Sequence, residues 1–315
     1  HDALPISAVV TDVLRTPESR FADLPDFAYV PHYVDVGGLR IAYVDEGPRD
    51  APVVLLMHGE PTWSFLYRKM IPVLLQAGLR VVAPDLVGFG RSDKPAQRKD
   101  HSYGNQVAWM NAWLESVDLQ QITLFCQDWG SLIGLRMVVD APQRFARIVL
   151  ANGGLPTGTT TTPRAFRLWR AFARWSPWFP IGRIVAFGCA MPLQSAEVAA
   201  YDAPFPTRRH RIAARLMPGF VPTTPGDPQS RSNLDAWEFF AHCAKPFLTL
   251  FSSRDPVTHG GQKVWQKRVP GAQGQAHTII RGAGHFLQED KGPELAHAIV
   301  AFVHATPSGS GTMQP

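Results

Sequence analysis

Short, unbroken apolar runs alternating with segments of helical period constrain this chain more than any other feature. Val53–Met57, Arg80–Ala83, Ile122–Cys126, Ile148–Ala151, Phe247–Phe251 and His277–Ile280 are four or five residues long and bounded by Gly, Pro or Asp. Runs of that length without polar alternation read as strands covered on both faces. Between them, stretches such as Tyr103–Val117 and Trp129–Asp140 carry apolar residues near every 3.6 positions. Residues 33–45 instead alternate apolar and polar around Gly37-Gly38, the signal of a two-residue hairpin. Alternating βα units predict an α/β fold, a mostly parallel sheet with helices on both faces. At 315 residues the chain can bury a sizeable core without disulfide or metal staples.

The alternation breaks between about Leu155 and Ser230, a stretch with eleven prolines, three tryptophans and no convincing strand. It reads as a helical insertion covering the C-terminal edge of the sheet, where open α/β folds bind ligands. The expected division is therefore a core over residues 8–154 and 231–305 and a helical cap over 155–230. Residues 306–315 read as a frayed tail. His1-Asp2-Ala3-Leu4-Pro5-Ile6 matches the in-frame translation of a common sequencing-library adapter, so residues 1–7 are expected to be a non-native leader.

Composition narrows the function classes. The net charge of +5 permits nucleic-acid binding, but the densest basic tract, Arg208-Arg209-His210-Arg211, reads as a solvated helix face. No run approaches the length of a membrane span, so neither nucleic acid nor a membrane is an expected partner. Cys126, Cys189 and Cys243 are odd in number and far apart, which indicates neither a disulfide framework nor a zinc site. Reduced thiols fit a cytoplasmic setting. Nine Trp and eighteen Phe suit a bulky apolar cavity as well as an ordinary core.

The sharpest local feature is Ile122-Thr-Leu-Phe-Cys-Gln-Asp128-Trp129-Gly130-Ser-Leu-Ile-Gly134, a strand running straight into a helix through small residues. Such a nucleophile elbow pushes one side chain out over the sheet. The usual pattern has Gly two residues before the nucleophile; here Cys126 takes that place, and the nucleophile position holds Asp128. An Asp there could instead simply cap the helix. Its partners weigh against that. His58-Gly59-Glu60-Pro61 follows the strand Val53–Met57, Asp255 follows Phe247–Phe251, and His285 follows His277–Ile280. Nucleophile, acid and base thus appear in chain order after successive strands. His58 reads as a structural donor for its own loop. His101, His242, His259 and His297 read as surface or packing residues, and Cys189 and Cys243 as buried filler.

From about Val13 to His304 the chain resembles a haloalkane dehalogenase of the α/β-hydrolase superfamily. The motifs that carry the resemblance are His58-Gly-Glu-Pro-Thr-Trp-Ser64, Ala83-Pro-Asp-Leu-Val-Gly-Phe-Gly-Arg-Ser-Asp-Lys-Pro95, Gln127-Asp-Trp-Gly-Ser-Leu-Ile-Gly134 and Gly284-His-Phe-Leu-Gln-Glu-Asp290. The resemblance implies an eight-stranded, mostly parallel sheet with the cap inserted after the sixth strand. One subfamily carries its acid as a Glu after the sixth strand; here that place reads Ala151-Asn152-Gly153, so Asp255 takes the role, as in the first subfamily.

Asp128-Trp129-Gly130 is shared with epoxide hydrolases, which resemble this pattern but use two cap tyrosines; the insertion has one, Tyr201. Fluoroacetate dehalogenases resemble an elbow with Arg where this chain has Trp129. A catalytically idle ligand receptor of the same fold is a further alternative, disfavoured by the intact Asp128, His285 and Asp255.

The resemblance implies hydrolysis of a small halogenated hydrocarbon, with water consumed and halide released and with no cofactor or metal. Asp128 is expected to attack carbon, and His285, oriented by Asp255, to activate water. Backbone N–H groups of Glu60 and Trp129 are expected to form the oxyanion hole. Indole N–H groups, which only donate, suit a departing halide. Trp129 is one; the second is sought among Trp169, Trp175 and Trp178. Trp169 ranks first, because it shares a helix face with Phe166 and Phe172 and lies about forty residues past the elbow, as the family pattern does. Phe166, Phe172, Phe205, Leu216, Val257 and Phe286 are expected wall residues. Oligomeric state stays open.

Overall fold

The computed structural model describes residues 10–307, so the expected leader and most of the expected tail lie outside the described residues. Eight strands form one sheet: β1 (His32–Val36), β2 (Leu39–Glu46), β3 (Val53–Met57), β4 (Arg80–Pro84), β5 (Ile122–Gln127), β6 (Phe145–Ala151), β7 (Phe247–Ser252) and β8 (Thr278–Ile280). Their order is β8-β7-β6-β5-β3-β4-β2-β1. β2 runs antiparallel to both β1 and β4, and the other neighbouring pairs of this sheet are parallel. The β1–β2 turn is the expected one: Gly37 and Gly38 have φ of 58° and 84°, and Val36 pairs with Leu39. Positive φ at both central residues is what a twisted two-residue hairpin requires, and glycine meets it without strain.

Strands β3 and β5 are buried at every position, which explains their unbroken apolar runs. Helices α1 (Ile71–Gln76), α2 (Tyr103–Val117) and α3 (Trp129–Asp140) follow β3, β4 and β5. Between β6 and β7 come α4 (Arg164–Trp175), α5 (Ile181–Gly188), α6 (Ser195–Asp202), α7 (Ile212–Phe220) and α8 (Ser230–Ala241). The chain closes with α9 (Gln262–Arg268) before β8 and α10 (Leu287–Ala305) after it, the latter kinked at Lys291 ahead of Pro293. None of the described helices is long and apolar enough to cross a membrane.

The inserted helices are tied to the sheet-bearing body by a buried ionic cluster. Arg68 donates to both oxygens of Glu289, at 2.5 and 2.8 Å, and to Glu197 of α6 at 2.5 Å, while Tyr201 of α6 donates to Glu289. A carboxylate and a guanidinium out of water are tolerable only when paired this fully. The densest sequence constraint lies elsewhere, where α3 leaves β5. A Cβ on Gly130 would sit 2.0 Å from the Met57 carbonyl oxygen, against backbone that cannot swing aside. Gly130→Ala should therefore cost about 3 kcal/mol in urea denaturation; a loss well below about 1 kcal/mol would contradict so close an approach.

Candidate active site

The ends of β3, β5, β6, β7 and β8 meet at one edge of the sheet, and Asp128 stands at their centre. Strand β5 ends at Gln127 and α3 begins at Trp129, so Asp128 makes the turn alone, with φ 51° and ψ −129°. An L-residue adopts positive φ at a cost, and the surroundings must hold it there. The Asp128 N–H donates to the Asn152 carbonyl at 3.1 Å, and its own carbonyl accepts from the Ser131 N–H at 2.9 Å and hydroxyl at 2.6 Å. Its side chain makes no helix-capping bond. Instead Oδ1 accepts from the Glu60 N–H at 2.7 Å. The carboxylate is thus turned out of the helix and into the cleft, against the capping alternative.

His58 stiffens the loop that carries Glu60. Its Nδ1 donates to the Gly59 carbonyl at 2.9 Å, and its Nε2 accepts from the Leu86 N–H at 2.9 Å. Both nitrogens are spent, and burial lowers the imidazole pKa, so His58 is a neutral structural link. Across the cleft, His285 Nδ1 donates to Asp255 Oδ2 at 3.0 Å, and its Nε2 lies 3.5 Å from Asp128 Oδ2. Asp255 is buried and accepts further bonds from the Val257 N–H at 2.9 Å and from the Thr258 hydroxyl.

The charges in this cluster shift one another. Burial alone would raise Asp255, but the His285 charge and these hydrogen bonds outweigh it and bring its pKa down to about 2. Burial alone would lower His285, yet Asp255 and then Asp128 hold it well above the ordinary imidazole value. Glu60 behaves oppositely. Burial and the neighbouring Asp128 charge push its carboxyl well above the usual range, with only partial relief from His285 and from the Trp169 indole directed at it.

Asn152, in the position where the sequence holds no carboxylate, braces the end of β7 and the loop after β8. Its Nδ2 donates to Ser252 Oγ at 2.9 Å and to the Gly284 and His285 carbonyls at 3.0 and 2.9 Å, and its Oδ1 accepts from the Ser252 N–H at 2.8 Å. Gln127 donates to the His285 carbonyl at 3.2 Å, with its amide nitrogen 3.2 Å from His285 Nε2. Neither role has a local sequence signal, since each depends on loops brought together only by the fold.

A cleft of about 1790 Å³ opens above Asp128. Asp128, His285, Asp255, Glu60, Trp129 and Trp169 all line it, as do the expected wall residues Phe166, Phe172, Val257 and Phe286. Phe205 and Leu216 do not. Phe205 is buried with its ring edge-on to Phe89 at 6.2 Å, and Leu216 lies half-buried on α7, which packs against α4. The Phe205 ring serves the buried core rather than the cleft wall. Cys189 and His259, expected elsewhere, are also on the lining. Among the three tryptophans of the insertion, Trp175 and Trp178 are 72% and 59% exposed, while Trp169 is half-buried and stacks on Phe172 and Phe179. The described residues contain no group of three or more His, Cys, Asp or Glu side chains placed to hold a metal ion.

The low native pKa of Asp255 fixes the sign of its pH effect. Because the folded value, about 2, lies below the unfolded one, its contribution is complete above about pH 4 and is lost as pH falls toward 2. Wild type should lose on the order of 2 kcal/mol more stability than Asp255→Asn across that window. Parallel denaturation curves for the two proteins would contradict the assignment.

Comparisons with known proteins identify the family. Residues 52–292 match the family model of the alpha/beta hydrolase fold. A haloalkane dehalogenase of Psychrobacter cryohalolentis is 52% identical over 300 residues, covering 94% of this chain and 99% of the relative. Another, from Mycolicibacterium paratuberculosis, is 51% identical over 298 residues, covering 93% and 99%. The tetrameric haloalkane dehalogenase DpaA of Paraglaciecola agarilytica superposes with a TM-score of 0.85 at 36% identity, covering 96% of this chain and 100% of that one. With identity this high over nearly the full length, the chain belongs to the haloalkane dehalogenases of the α/β-hydrolase fold.

Proposed function

We propose that Asp128, His285 and Asp255 carry out hydrolytic cleavage of carbon–halogen bonds in small haloalkanes, within a cleft covered by a cap formed by residues 155–230. The observation that carries this reading is the presentation of the Asp128 carboxylate. Oδ1 is already held by the Glu60 N–H at 2.7 Å, which leaves Oδ2, 3.5 Å from His285 Nε2, as the attacking oxygen. In the first step Oδ2 bonds to the halogen-bearing carbon as the carbon–halogen bond breaks, giving an alkyl ester and a halide ion. The Trp129 and Trp169 indoles, facing the same cleft, donate to the charge that gathers on the halogen. Glu60, its carboxyl held well above the usual range by burial and by Asp128, adds no second negative charge beside the leaving halide.

Ester formation removes the Asp128 charge. That takes away part of what holds the His285 pKa up and leaves Asp255 alone to orient the ring, so the imidazole releases a proton to solvent more readily and can then act as a base. His285 Nε2 then takes a proton from water as the hydroxide oxygen bonds to the ester carbonyl carbon. The oxyanion forms on Oδ1, against the Glu60 N–H and the Trp129 N–H that opens α3. Its collapse breaks the bond from acyl carbon to alkoxide, His285 returns the proton and alcohol leaves; the Asp128 carboxylic acid then passes its proton to His285, restoring the starting charges. The acid sits after β7 and Asn152 after β6, which supports placement in the first subfamily.

The epoxide-hydrolase alternative needs cap tyrosines at the substrate. Tyr201 instead is buried, spends its hydroxyl on Glu289 and is absent from the cleft lining. Assays of bromide release from ethylene dibromide beside diol formation from styrene oxide separate the readings. Bromide with no diol is expected. Diol without bromide would establish the epoxide hydrolase, and neither product would indicate the idle receptor.

A further inference from the structure

Two segments a hundred residues apart in sequence meet behind His285. One is the 188–191 stretch where α5 ends; the other is the loop and first turn from Gly284 to Asp290. Asp290 Oδ1 accepts from the Ala190 N–H at 3.0 Å and the Met191 N–H at 2.7 Å. Its Oδ2 accepts from the Ala190 N–H at 2.9 Å and the Gly284 N–H at 2.8 Å. One carboxylate therefore holds backbone donors from both segments, and bonds to a charged acceptor are about twice as strong as neutral ones.

The join is reciprocal. The Gly188 carbonyl accepts from the His285 N–H at 2.7 Å and from the Phe286 N–H at 3.4 Å. The backbones approach so closely that a Cβ on Gly284 would sit 2.5 Å from the Gly188 oxygen, and one on Gly188 would sit 2.6 Å from the Phe286 ring. The residue that carries the base is thus stitched to the end of α5 at its own amide and at the amide before it.

We propose that Asp290 is a positioning residue that couples the cap to the second half of the reaction. By clamping 188–191 against 284–286 it sets where the His285 imidazole stands relative to the Asp128 ester. This inference rests on the dehalogenase reading and deepens it. His285 Nε2 is 3.5 Å from Asp128 Oδ2, so small displacements decide whether one water fits between base and ester carbon. A misplacement of about 1 Å can cost on the order of a hundredfold in rate. The first step draws on Asp128, the Glu60 N–H and the two indoles, none of which lies on the clamped segments. The clamped segments touch the first step only through cleft wall, Cys189 and Phe286, whereas ester hydrolysis depends on them for the position of its base.

Rapid-quench kinetics with ethylene dibromide reads both steps, through the first-turnover bromide and the steady-state rate. Intact-protein mass reads the fraction present as alkyl-enzyme. For Asp290→Ala the first-turnover bromide rate should stay within about twofold of wild type, while steady-state kcat falls about tenfold or more and KM falls with it. The alkyl-enzyme fraction should rise accordingly. Asp290→Asn, which keeps one carbonyl acceptor, should fall between the two, and it carries the same test if the Ala variant does not fold. Equal losses in both steps, or no change in either, would overturn the role of Asp290. Absence of bromide from wild type would overturn the dehalogenase reading itself, and is seen before any variant is compared.

Discussion

A carboxylate forced out of a strained turn is the constraint on which the rest of this structure depends. Asp128 can face the cleft only because its backbone is held at φ 51°, and that conformation persists only because neighbours fix both ends of it. The Asn152 carbonyl takes its N–H, Ser131 takes its carbonyl, and Gly130 lets α3 start directly against the end of β3. The Glu60 N–H then holds one carboxylate oxygen, Oδ1, and the other, Oδ2, is left facing His285. Strand order does the remaining work: β3, β5, β6, β7 and β8 all deliver their C-terminal loops to the same edge.

Charge gives the site its sequence of events. His285 stands between two carboxylates, one fixed and buried, the other reactive. As long as both are ionised, the imidazole binds its proton tightly; converting Asp128 to an ester removes one of them. In the proposed mechanism the base is therefore released by the step that creates its substrate. Glu60, pushed toward its neutral form by burial and by Asp128, keeps the region of the leaving halide free of a competing charge. A cleft walled by Phe166, Phe172 and Phe286 suits a nucleophile that bulk water would blunt.

Much of this was legible from local pattern. The buried strands announced themselves as unbroken apolar runs, and the elbow as a strand meeting a helix at Asp128-Trp129-Gly130. Asp255 and His285 followed from their positions after β7 and β8. What stayed hidden depends on contacts between segments distant in sequence. Phe205 and Leu216 look like Phe166 and Phe172 in the sequence, but apolar spacing cannot say whether a helix in the insertion turns that face to the cleft or to another helix. Asn152 read only as a missing carboxylate, yet its amide braces the end of β7 and the loop after β8. Asp290 closed a recognisable motif, while its partners at Ala190 and Met191 carry no side-chain signal at all.

The most direct test of the covalent mechanism is the intact-protein mass of His285→Gln after exposure to ethylene dibromide, followed by peptide mapping. One stable bromoethyl adduct per chain is expected, on the peptide containing Asp128, and no adduct on His285→Gln that also carries Asp128→Asn. An unmodified His285→Gln protein, from a wild type that releases bromide, would contradict it, as would an adduct on any other residue.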